Sequence, residues 1–197
     1  GFIGIEATEA LAQRGFETHL VEFAEHVLPP LEVEMATLVT RELRALGVCV
    51  HAGVAAQSIT HGDDHDAVTL SDGTVLTADV IVLSTGVRPD TAFAEAAGIE
   101  TSRGYILVDE HGRTSVDDVY AVGDAAVGRD HDGPVALAGP ANRGGRLVAD
   151  AIADAEHGEA SARPIPSPQG TAIVRVGSLT AAMTGANRQA LDASGAE

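Results

Sequence analysis

The chain has no tryptophan, no lysine and a single cysteine, and only 3% of its 197 residues are aromatic. Each scarcity excludes something. Without lysine, all twelve basic side chains are arginines, and 29 acidic residues oppose them, for a formal net charge of −17. A field of that sign repels polyphosphate backbones and anionic headgroups, so no nucleic-acid or membrane partner is expected through a general basic surface. Any phosphate must be held locally, by backbone amides and a few arginines. One cysteine, Cys49, excludes an internal disulfide framework and fits a reducing, cytoplasmic compartment. No apolar run approaches the roughly 18 residues of a membrane span, and no signal peptide is legible before the first helix. With few aromatics, the core of a chain that is 45% hydrophobic falls to Ala, Val, Leu and Ile.

What is present repeats a helix-strand rhythm. Ile5, Thr8, Leu11 and Ala12 share a helical face between Gly4 and Arg14, Gly15 is placed to end that helix, and Phe16 to Glu22 reads as a strand. Val33 to Leu46 predicts a second helix ending at Gly47, followed by a strand at Val48 to His51. The repetition argues for a parallel, helix-covered sheet. Ala67 to Leu70 and Thr74 to Leu76 flank Ser71-Asp72-Gly73 and predict an inserted antiparallel hairpin. Val80 to Ser84, VIVLS, reads as a buried parallel strand. Further on, a short helix is expected at Ala92 to Ala97, strands at Tyr105 to Val108 and Val119 to Val122, and a helix within Leu137 to Ala155. Ser161 to Gly170, with three prolines in ten residues, reads as a linker before one strand at Thr171 to Val176.

GFIGIE, Gly1 to Glu6, looks like the second half of a phosphate-binding turn. Gly1 and Gly4 have the spacing of the second and third glycines of G-x-G-x-x-G, which allow close approach of a pyrophosphate and close helix-strand packing. Glu22 ends the next predicted strand at about the distance expected of an acid that accepts hydrogen bonds from adenosine ribose hydroxyls. The first strand of that unit is missing from the pattern.

In order along the chain, GFIGIE, Val21-Glu22, VLPPLE (Val27 to Glu32), STGVRPDT (Ser84 to Thr91), RTSVDDVYAVGDAA (Arg113 to Ala126) and ALAGPANRGGR (Ala136 to Arg146) resemble the two-dinucleotide flavoprotein reductases. The resemblance is closest to their coenzyme A disulfide reductase and NADH oxidase branch. It implies an α/β, FAD/NAD(P)-binding Rossmann-like fold: an NAD(H)-binding domain at residues 1–88, the C-terminal part of an FAD-binding domain at 89–160, and a linker with the start of an α+β dimerisation domain at 161–197. It implies FAD and NADH as cofactors, with NADPH disfavoured by the charge of Glu22, a disulfide, oxygen or peroxide as acceptor, and a homodimer. It places Gly1 and Ile3 in the pyrophosphate turn, Phe2 as a gate over the flavin, Gly4 at the helix-strand contact, and Glu6 near nicotinamide and flavin. Gly86 falls in a turn toward the nicotinamide, Asp124 on the FAD ribityl chain, and Leu137, Ala138 and Gly139 beside the flavin pyrimidine, where a positive helix end stabilises reduced flavin.

The family's own FAD glycine turn and redox cysteine do not occur in this sequence; by resemblance the cysteine is expected upstream of residue 1. Two other readings stand beside this one: a cysteine-independent electron transferase serving a ferredoxin or rubredoxin, and a nucleotide-binding module without catalysis. HGDDHD (His61 to Asp66) has metal-site residue types but reads as a solvated loop, so no metal is expected. His111 and His131 read as turn residues, and Cys49 as a buried thiol with His51 on its face.

Overall fold

A computed structural model describes residues 1–130, 133–159 and 162–195, and divides the chain into two compact units, 1–86 with 171–197, and 87–170. The folds are mixed α/β, with parallel and antiparallel pairings. No helix among the described residues is long and apolar enough to cross a membrane.

The first unit opens with α1 (Phe2–Gln13), β1 (His19–Glu22), α2 (Val33–Ala45) and β2 (Cys49–Ala52). β1 and β2 pair in parallel, with His19 opposite Cys49 and Glu22 opposite Ala52. Gly15 and Gly47 follow the helices with φ of 84° and 86°, the left-handed conformation in which a side chain costs most. α2 buries Ala36, Val39 and Leu43, the i, i+3, i+7 stripe of one helical face. The VLPPL loop adds Val27, Leu28 and Leu31 to the same core. Leu28 holds φ = 51° with its side chain fully buried, so packing offsets an unfavourable backbone.

An antiparallel meander follows: β3 (Ala56–Thr60), β4 (Asp66–Leu70) and β5 (Val75–Ala78). The hairpin about Gly73 is the expected one; β3 is an addition. Its five residues are all exposed and a bulge interrupts its register, so it carries no readable alternation.

Residues 80–84 correct an expectation. VIVLS pairs with no strand among the described residues, and Val80, Val82 and Leu83 are 75%, 54% and 73% exposed. A buried parallel strand needs neighbours on both edges, and this one has none here. Its end nevertheless meets α1. A Cβ built on Gly4 would lie 2.6 Å from Ser84 Oγ and 4.0 Å from Leu20 Cδ1, so the helix rests on β1 and on residue 84 together.

The end of the chain completes this unit. β9 (Ala172–Val176) and β10 (Leu179–Met183) form a hairpin where one strand is expected, and α5 (Arg188–Ser194) follows. Val174, Val176 and Ala181 enter the core shared by α1 and α2. Carboxylates hold the hairpin turn from outside: Gly177 N donates to Glu9 Oε1 at 2.8 Å, and Ser178 N and Oγ donate to Glu42 Oε1 at 2.7 and 2.9 Å. Arg188 N donates to Glu32 Oε1 at 2.6 Å.

The second unit contains α3 (Ala92–Ala96), β6 (Thr101–Ser102), β7 (Tyr105–Val108), β8 (Ala126–Gly128) and α4 (Ala138–His157). β7 pairs antiparallel with β6 and parallel with β8. Only an isolated bridge, Arg113 to Tyr120, forms where a strand is expected at 119–122; the ladder partner of β7 is β8 instead. α4 buries Gly144, Leu147, Val148 and Ala151, and it packs closely enough to leave no room for a side chain at either of two glycines in the contact. A Cβ at Gly112 would lie 2.5 Å from Val148 Cγ2, and one at Gly144 2.7 Å from Val122 Cγ2. Residues 162–170 have no regular structure, but Ala162 N donates to Asp154 Oδ2 at 2.6 Å and Ile165 N to the Glu110 carbonyl at 2.7 Å, which fix the proline-rich stretch in place.

Two predictions follow from these contacts. Gly4→Ala will cost about 1–3 kcal/mol through overpacking, and Ser84→Ala in the same chain will recover part of that loss; additive losses in denaturant unfolding would contradict the contact. The amide of Ser178, and then its hydroxyl, hold the Glu42 carboxyl below its ordinary value of 4.5. Its contribution is therefore complete above that value and disappears as pH falls through the lowered native one. Glu42→Gln should remove this part of the acid dependence and speed hydrogen exchange of the Ser178 amide; unchanged exchange would show that the turn is held otherwise.

Candidate functional site

In the first unit the site is the start of α1. Gly1 is the N-cap, no side chain caps the helix, and no acid occupies its first turn. The first amides of a helix have no intrahelical acceptor and sit at the positive end of its dipole, so an uncapped start is suited to an anion.

Glu22 comes to this turn from the end of β1. Its Oε1 accepts from Ala24 N at 3.1 Å, its side chain is 17% exposed, and its Oε2 lies 3.4 Å from the terminal ammonium of Gly1. The Ala24 amide thus holds the carboxylate near the start of α1, with lone pairs left for hydroxyl donors. Residues 21 positions apart meet because α1 runs back along β1. Phe2 is half-buried against the core, while Ile3, at 62% exposure, and Glu6 face outward. Gly86 takes φ = 100°, a conformation open to glycine, in the chain beyond residue 84.

In the second unit, Asp124 and the start of α4 are neighbours. Asp124 is exposed and lies in a turn, closed by Ala126 N donating to the Gly123 carbonyl at 3.1 Å, before β8. It precedes the parallel strand instead of ending one. Leu137 is the N-cap of α4, without a side-chain cap or an acid in the first turn, and Ala138 and Gly139 begin the helix. The Cβ position of Gly123 lies 3.7 Å from Ala141 Cβ, which sets the Asp124 turn beside the first turns of α4. This is a second uncapped helix start, with a carboxylate-bearing turn next to it. Tyr120, then Asp109 and Glu110, raise the Arg113 guanidinium above its usual range near the same loop.

Other sequence candidates separate out. His61 Nδ1 pairs with Asp66 Oδ1 at 2.6 Å and His65 Nδ1 with Asp79 Oδ1 at 2.7 Å, and no group of three or more potential ligands among the described residues is disposed to hold a metal. His111 lies in a turn, with a buried Nδ1 that has no partner among the described residues. His131 lies outside the described residues. Cys49 is exposed, not buried. Val48 and Val50 take the core side of β2, so alternation sends Cys49 and His51 to the opposite face. That face also holds a pair the sequence did not suggest, His19 Nδ1 and His51 Nε2 at 3.0 Å with stacked rings. The signal for it lies in the parallel register, which no single strand displays.

Comparison with known proteins places this geometry. Residues 1–155 match the family model described as pyridine nucleotide-disulphide oxidoreductase. The rubredoxin-NAD(+) reductase of Alcanivorax borkumensis is 41% identical over 155 residues, 78% of this chain and 40% of the relative. Among solved structures, the reduced CoADR-RHD protein of Bacillus anthracis superposes with a TM-score of 0.89 at 34% identity, over 100% of this chain and 35% of that one. The NAD-dependent persulfide reductase of A. fulgidus gives 0.91 at 33% identity, over 99% and 36%. The chain thus spans well under half the length of these proteins. With an uncapped glycine turn facing an acidic strand end, and a match over residues 1–155, the chain belongs to the pyridine nucleotide-disulphide oxidoreductase family.

Proposed function

We propose that the chain is the central part of an NADH- and FAD-dependent oxidoreductase. The observation that carries this reading is Glu22, held by the Ala24 amide near a start of α1 with no acid in its first turn, an arrangement fit for a pyrophosphate and an unphosphorylated ribose together. On this reading residues 1–88 take NADH, 89–160 contribute the later part of the FAD site, and 161–197 lead into the dimerisation domain of a cytoplasmic homodimer. The start of α4 fits a flavin for the same reason as the start of α1 fits a pyrophosphate: free amides and no competing carboxylate in the first turn.

FAD, when bound, would supply the two-electron chemistry between NADH and a disulfide of the coenzyme A type, or oxygen or peroxide, with a redox cysteine expected outside these 197 residues. The residues of this chain bind and orient. Amides of Gly1 and Ile3 hold the pyrophosphate, and Gly4 brings the helix close enough to present them. Glu22 accepts hydrogen bonds from ribose hydroxyls, and its charge repels a 2′-phosphate. Phe2 and Glu6 act near the nicotinamide, which Gly86 helps to seat. Asp124 accepts from the ribityl chain, and the amides of Leu137, Ala138 and Gly139 stabilise negative charge on the ring.

The 41% identity to a rubredoxin-NAD(+) reductase favours a second acceptor class, an electron-transfer protein reduced without a cysteine. Alkylating the thiols of the full-length protein separates the two: loss of disulfide reductase activity supports the first reading, and undiminished rubredoxin reduction the second. Failure of NADH to bleach the bound flavin would overturn both.

NADH should exceed NADPH in kcat/KM, and Glu22→Ala should narrow the ratio roughly tenfold; equal or reversed wild-type values would refute the role of Glu22. Asp124→Ala should weaken FAD retention by about tenfold or more, as expected for loss of an ionised acceptor. Full flavin occupancy after extensive dialysis of that variant would contradict it.

A further inference from the structure

In a chain of net charge −17, several arginines gathered in one groove call for an explanation. In the second unit Arg113 pairs with Asp109 and Arg129 with Glu100. Three others gather instead along one groove of about 930 Å³: Arg143, Arg146 and Arg163, with Asn142, Pro164 and Pro166. None of the three arginines joins an ion pair among the described residues. Asp150 is the single carboxylate in the lining, so the groove carries a local excess of positive charge within an acidic molecule.

The groove is built, not incidental. Arg143 and Arg146 stand three apart on α4 and therefore share a face. Arg146 donates to Asn142 Oδ1 at 2.7 Å, which holds the guanidinium along the helix while leaving its other donors available. Arg163 is carried on a stretch fixed on both sides, by Ala162 N on Asp154 and Ile165 N on the Glu110 carbonyl, with Pro164 restricting the backbone between. Ordering costs are thus partly met before any ligand arrives. Leu147 and the two prolines give the groove apolar walls beside its cations.

We propose that this groove binds a small molecule bearing a phosphate or pyrophosphate group, whose oxygens the three guanidinium groups take as fork-like donors while its apolar part lies on the proline and leucine walls. It is distinct from the amide turn of α1, which belongs to the other unit. Guanidinium groups outside a helix start select a polyanion by charge, so affinity should fall as salt rises.

The test is calorimetric titration of the full-length, flavin-loaded protein with inorganic pyrophosphate, ADP and adenosine, alongside Arg143→Gln and Arg163→Gln. Pyrophosphate and ADP should bind and adenosine should not, with each substitution weakening pyrophosphate about tenfold. No heat with either phosphate, equal binding of adenosine and ADP, or unchanged affinity in both variants would overturn the proposal. A second measurement needs no variant: pyrophosphate should slow phenylglyoxal modification of Arg143 and Arg163 in the wild-type protein but not that of Arg14. Equal protection of all three, or none, would count against the groove.

Discussion

The absence of a side chain at Gly4 decides where α1 lies. With Ser84 Oγ closer to a hypothetical Cβ than contact allows and Leu20 Cδ1 in contact with it, the helix rests directly on β1 and on the end of the VIVLS segment. That close approach brings the first amides of α1 to the end of β1, where Glu22 stands. A helix held further off would still be a helix, but its positive end would no longer share a site with the acid. Close packing and ligand geometry are therefore one constraint, expressed through one residue.

In a chain with 29 acidic residues, neither α1 nor α4 carries an acid in its own first turn; the carboxylates beside them, Glu22 and Asp124, come from neighbouring segments. Elsewhere the carboxylates are engaged by backbone, as Glu9, Glu32 and Glu42 are by the amides of residues 177, 188 and 178. The acidity that excludes general polyanion binding thus also serves as internal structure.

The periodic helices were readable because their buried stripes and terminating glycines are local properties: α1, α2, α3 and α4 fall where the spacing puts them. The proposed glycine turn and its acid rest on a signal of the same local kind, a pair of glycines and a distance. What escaped reading depends on partners. The VIVLS run has the composition of a central strand, yet without neighbours it forms no ladder. Tyr120 bridges Arg113 while the ladder with β7 passes to residues 126–128, whose short, small-residue sequence gives no strand signal. β3 is hidden by exposure on both faces, and Cys49 faces outward because its neighbours Val48 and Val50 claim the core.

The hairpin near the end of the chain, described above as a piece of the first core, also has a consequence for how the protein is made. Its turn amides bind carboxylates 168 and 136 residues earlier, and Val174 and Val176 fill a core begun by α1 and α2. A ribosome delivers those early helices long before their last partners, so the first unit emerges with part of its apolar surface uncovered. The second unit, residues 87–170, is made in the interval. The turn that covers this core therefore becomes available only after about 80 intervening residues have been added.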